Sequence, residues 1–92
     1  MSLSLEQLRA FAAAVEAGSF SGAARKLGKA QSSVSGLIIS MENSMGIPLF
    51  DRSKRSPRLT EAGMALINDV NAVLASHQNL RQTVSSVSKP IA

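Results

Sequence analysis

Ninety-two residues make one small domain, with room for an appended helix and little more. A composition 45% hydrophobic and 17% charged excludes a disordered chain, and the lack of cysteine excludes a disulfide framework and thiolate metal sites. The formal net charge of +4 is unevenly spread: seven of the ten Lys and Arg residues lie between Arg25 and Arg58, opposed there only by Glu42 and Asp51. Such a basic middle suits a polyanion-binding surface better than the competing reading from charge alone, a solvated basic loop.

In chain order, Ser4 and Gln7 have the spacing of a capping box, and Leu5, Leu8, Phe11, Ala12 and Val15 recur at helical spacing up to Gly18. A helix over 5–17 follows. Ser19 or Ser21 can cap a second, short helix near 20–27, with Ala23, Ala24 and Leu27 as its apolar face and Gly28 as its stop. After a tight turn over Gly28-Lys29-Ala30, Val34, Leu37, Ile38, Met41 and Met45 predict a third helix over 31–45, ended by Gly46 and Pro48. Leu49-Phe50 and Arg58-Leu59 flank a polar, basic turn, as two short strands of a hairpin would.

Thr60 then caps a long final helix, with Glu61 near its positive end. Leu66, Val70, Val73, His77, Leu80, Val84 and Val87 alternate spacings of four and three along it, which is a heptad seam. A helix of roughly 27 residues is about 40 Å long, too long for so small a body to cover. The seam therefore predicts a second chain, with Leu66, Val70, Val73, His77, Leu80 and Val84 at the interface.

The fold class expected is mainly α: a three-helix core with a small β-hairpin wing, a winged helix-turn-helix, followed by a long dimerisation helix. In that layout Gln31, Ser32, Ser33 and Ser35 start the outward face of the third helix. Gln can pair adenine bidentately, Ser hydroxyls serve base edges or phosphates, and a free helix start favours phosphate. A plain polar helix start would have the same composition.

The run Leu8, Phe11, Val15, Gly18-Ser19-Phe20-Ser21, Ala23-Ala24, Leu27, Gln31-Ser32-Ser33-Val34-Ser35, Ile38, Glu42, Gly46, Leu49-Phe50, Arg52 and Leu59-Thr60-Glu61-Ala62-Gly63 resembles the N-terminal domain of LysR-type transcriptional regulators, over about residues 3–88. The resemblance implies a DNA-binding domain over 1–60, a linker and dimerisation helix over 61–88 and a tail over 89–92. The family's two-lobed effector domain, and with it any small-molecule inducer site, would lie outside a truncated chain. It implies double-stranded DNA at a pseudo-palindromic operator as partner, and a homodimer that could become a tetramer in a full-length protein. By position, Gln31, Ser32 and Ser35 match residues that meet bases or phosphates, Arg52 a backbone-phosphate contact, and Arg55 a wing residue reaching the minor groove. Glu42 matches a structural position. Lys54 and Arg58 are phosphate candidates by charge and loop position.

Two departures stand out. Where many members carry Arg-Gln after the Ser, and a basic residue after the Ile, this chain has Gly36-Leu37 and Ile39. Losing an arginine that pairs guanine removes about 1–3 kcal/mol of discrimination at one base pair. Other classes fare worse. One histidine and no cysteine leave no metal set, no cofactor site and no activated nucleophile, so no enzymatic reaction is expected. The final helix is too poor in Lys and Arg on its polar face for a membrane surface, and no apolar run approaches a span, so a cytoplasmic protein is expected. A protein-interaction module built on the long helix is the competing reading; the heptad seam alone does not separate the two, but the basic cluster beside the helix-turn-helix pattern and the family resemblance favour DNA.

Overall fold

The computed structural model describes residues 1–53 and 56–88. Its elements run α1 (Leu5–Ala17), α2 (Phe20–Leu27), α3 (Gln31–Met45), β1 (Phe50–Asp51), β2 (Arg58–Leu59) and α4 (Glu61–Val87). α1 opens on the expected capping box: Ser4 Oγ accepts the Gln7 N–H at 3.1 Å, and Gln7 Oε1 accepts the Ser4 N–H at 2.9 Å. The Gln7 amide then donates to Ser40 Oγ at 3.0 Å, tying α1 to α3. Of the two serines able to cap α2, Ser19 does so, accepting the Gly22 N–H at 2.9 Å. Gly28 ends α2 at φ 65°, a left-handed conformation that a side chain disfavours, and the chain turns there into α3.

Phe11, Val34, Ile38, Met41 and Leu49 are the largest fully buried side chains. Ala10, Ala13, Ala14, Ala23 and Ala24 are buried with them, and these small residues let α1 and α2 approach closely. The three aromatics form one edge-to-face cluster, Phe50 lying 5.6 Å from Phe11 and 5.3 Å from Phe20 between ring centroids. Such pairs add about 0.5–1.5 kcal/mol each beyond their burial. The hairpin is antiparallel, with Phe50 opposite Leu59 and Asp51 opposite Arg58. At its end Thr60 donates to the Pro48 carbonyl at 2.8 Å and caps α4 by accepting the Gly63 N–H at 3.0 Å.

α4 divides the expected seam. Val70 is buried in this chain's own core, and Leu66, Ile67 and Leu74 pack partly against it. His77 is half-buried. Val73, Leu80 and Val84 keep 47%, 62% and 53% of their surface exposed. A heptad pattern counts apolar positions without saying whose core covers them. Here the body takes Leu66 and Val70, which leaves the later positions open. Beside this junction lies an apolar hollow of about 160 Å³ among Leu8, Met41, Met45, Val70 and Val73. Among the described residues no helix is long and apolar enough to cross a membrane.

Two glycines make opposite demands. A Cβ added at Gly36 meets nothing within 4 Å, whereas one at Gly63 runs into the Leu49 carbonyl oxygen and comes within 2.7 Å of Leu59 Cδ2. Gly36→Ala is expected to raise stability by about 0.5–1 kcal/mol through helix propensity alone. Gly63→Ala, although also helical, is expected to lower it by about 1–3 kcal/mol through overpacking. Urea unfolding of both variants checks this, and a stabilising Gly63→Ala would mean that α4 does not sit tightly on the wing.

Candidate nucleic-acid interface

The start of α3 is open and uncapped. Ala30 is its N-cap residue and makes no side-chain cap, while Gln31, Ser32 and Ser33 are exposed and Ser35 is half-buried. The turn before it is held by backbone, Lys29 N–H donating to the Ala24 carbonyl at 2.9 Å. An exposed helix start offers N–H groups and the positive end of the helix dipole to an anion.

The wing folds back towards this point. Ser56 and Pro57 meet Ser19, Phe20 and Ser21 at the start of α2 and Gln31 at the start of α3, around a notch of about 260 Å³. Ser19 and Ser21, read from the sequence only as alternative caps, thus join the same face, their hydroxyls 3.5 Å apart. Spacing along the chain carries no signal for this, because the wing that completes the notch lies some thirty-five residues further on.

Of the cations singled out in the sequence, Arg58 is exposed on β2. Lys54 and Arg55 lie outside the described residues. Lys26 forms an ion pair with Glu16 on α1 at 2.5 Å. Arg52 has a more constrained position. Its two terminal nitrogens reach the Glu42 carboxylate, at 3.0 and 3.3 Å, and its guanidinium carbon sits 5.4 Å from the centre of the Phe20 ring. Glu42 is buried and also accepts the Leu49 and Phe50 N–H groups at 2.7 and 3.2 Å. One carboxylate of α3 therefore holds the start of the wing strand, and through Arg52 it reaches the first residue of α2. The structural role expected of Glu42 has this form.

The arrangement sets three elements side by side around one largely polar notch: the start of α2, the start of α3 and the hairpin. Among the described residues no three His, Cys, Asp or Glu side chains come together.

Known proteins agree with this layout. Residues 5–64 match the family described as bacterial regulatory helix-turn-helix proteins of the lysR family. An uncharacterized HTH-type transcriptional regulator of the ibpB-leuC intergenic region of Azotobacter vinelandii is 38% identical over 85 residues, covering 92% of this chain and 59% of that relative. The Hca operon transcriptional activator HcaR of Escherichia coli strain K12 is 39% identical over 79 residues, covering 86% of this chain and 27% of HcaR. This chain thus spans between about a quarter and three fifths of the length of these relatives. Among solved structures, the BenM DNA-binding domain in its complex with catB site 1 DNA matches with a TM-score of 0.89 at 29% identity, covering 97% of this chain and 100% of that one. A matched helix-turn-helix, the hairpin wing and the long closing helix together show that the chain belongs to the lysR family of bacterial regulatory helix-turn-helix proteins and carries that family's winged helix-turn-helix DNA-binding domain.

Proposed function

We propose that the domain lays the start of α3 in the major groove of duplex DNA and its wing along the backbone and adjacent minor groove. Gln31, Ser32, Ser33 and Ser35 would face base edges and phosphates, and Lys54, Arg55 and Arg58 would supply cations from the wing, with Arg52 at its base. The observation that carries this reading is the notch that brings Gln31, Ser19 and Ser21 together with wing residues Ser56 and Pro57 on one face. The likeness over nearly the whole chain to a domain solved on DNA supports it. Relatives that are regulators support a binding role without catalysis and a place in the bacterial cytoplasm.

A second copy of the chain would complete the molecule. Val73, Leu80 and Val84 form an exposed apolar line along α4 with His77 between them. Pairing through this line would bury it and set two recognition helices on a pseudo-palindromic site.

Each phosphate neutralised on duplex DNA contributes about 0.9 to the slope of log affinity against log salt. Arg55→Ala and Arg58→Ala are each expected to flatten that slope by about this amount in anisotropy titrations. Gln31→Ala should weaken binding to a selected site and leave the slope unchanged. Arg52→Met is the contrast: it deprives the buried Glu42 of its cation and is expected to cost about 1–3 kcal/mol of stability in urea. Unchanged slopes for the wing variants would remove the wing from the interface.

Sedimentation tests the second copy. Leu80→Asp and Val84→Asp are expected to shift the chain from dimer to monomer with its helical circular dichroism kept, whereas Val70→Asp should unfold it. A wild-type chain that sediments as a monomer, or a Leu80→Asp chain that stays dimeric, would contradict the α4 seam.

A further inference from the structure

The outward side of α3 is bare of charge. At about 100° per residue, Ser32, Gly36, Ile39 and Asn43 fall within about 60° of one another, and all four are exposed. Val34, Ile38 and Met41, all buried, lie on the opposite side of the helix. α3 contains no Lys or Arg, and its single acidic residue, Glu42, is turned inward to the wing. The face presented away from the core thus reads hydroxyl, bare backbone, branched aliphatic, amide.

Two of those positions have physical consequences for a groove. At Gly36 an added Cβ would enter open space, so the middle of the stripe is a notch in the helix surface where backbone can settle close to an opposing surface. At Ile39 a large apolar side chain keeps 45% of its surface exposed amid polar neighbours. The apolar feature that a major groove offers such a side chain is the C5-methyl group of thymine, whereas guanine offers two acceptors that an aliphatic group cannot satisfy.

We propose that the Ser32–Gly36–Ile39 stripe selects A·T base pairs, with Ile39 packed on a thymine methyl that the Gly36 notch brings within reach. Gln31, about 12 Å back along the helix axis from Ile39 and about 80° around it, would reach adenine in the same half-site from the helix end. The inference rests on the placement of α3 in the major groove proposed above. It assigns sequence preference to methyl contact and close approach in place of an arginine on guanine.

The test begins with duplexes selected by the wild-type chain from a random pool, in which each thymine of a half-site is then replaced singly by deoxyuridine. That change removes one methyl group and nothing else. One replacement is expected to weaken wild-type binding about fourfold, the worth of burying one such group. The same replacement should leave Ile39→Ala unaffected, so that the two losses are coupled. Ile39 is exposed, and circular dichroism will show that the variant keeps its fold. Equal binding of thymine and uracil duplexes by a wild type that still prefers selected over scrambled DNA would overturn the stripe and leave the placement of α3 standing. A fourfold loss that persists in Ile39→Ala would also overturn it, since the methyl would be read elsewhere. No preference for any selected duplex would overturn both readings together.

Discussion

The interface depends on one buried carboxylate. Glu42 sits on the inward side of α3 and accepts hydrogen bonds from two successive backbone N–H groups, those of Leu49 and Phe50, at the point where the chain becomes the wing. Burying a charge is costly unless it is hydrogen-bonded and paired. Here both conditions are met, because Arg52 pairs with the same carboxylate through both of its terminal nitrogens. Two things that the sequence places eight residues apart are thereby held in one orientation: the helix that would read the groove, and the strand that carries the basic loop.

From that clamp the packing spreads outward. The Arg52 guanidinium lies over Phe20, Phe20 meets the face or edge of Phe50, and Phe50 meets Phe11 in the middle of α1. The chain has only three aromatics, and all of them serve this line. It connects the charged site to the hydrophobic core and fixes where α2 begins, so that Ser19 and Ser21 arrive beside Gln31 and the wing. Gly63 finishes the assembly from the other end, since only a residue without a Cβ lets α4 lie directly on the Leu49 carbonyl and Leu59. The elements that would meet DNA are thus rigidly related to each other, and α4 leaves the body with an apolar line still open.

Much of this was legible beforehand. Ser4 with Gln7, the glycines at 18, 28 and 46, and Thr60 mark helix ends by local chemistry, and local chemistry survives folding. The spacing of Val34, Ile38 and Met41 named the buried side of α3 for the same reason. What escaped was non-local. The ion pair from Glu42 to Arg52 spans ten residues and needs the bend at Pro48. Arg52 could be read as a free cation because charge and position do not show a partner. The heptad seam of α4 ran unbroken through Leu66 and Val70, since periodicity cannot tell a residue covered by its own core from one awaiting a second chain. The close contact at Gly63 was equally invisible, as a glycine in a helix start has many uses.

The clamp is open to direct measurement by native-state amide exchange on the chain and on Glu42→Gln, which keeps the shape and removes the charge. A hydrogen bond to a charged group is worth about 1.5–3 kcal/mol. The Leu49 and Phe50 amides are therefore expected to exchange at least about tenfold faster in Glu42→Gln through local opening of the wing. Over the same period the Val34 and Ile38 amides of α3 should keep their protection. Equal exchange at Leu49 and Phe50 in both proteins would contradict the account, because the wing would then be held by something other than Glu42.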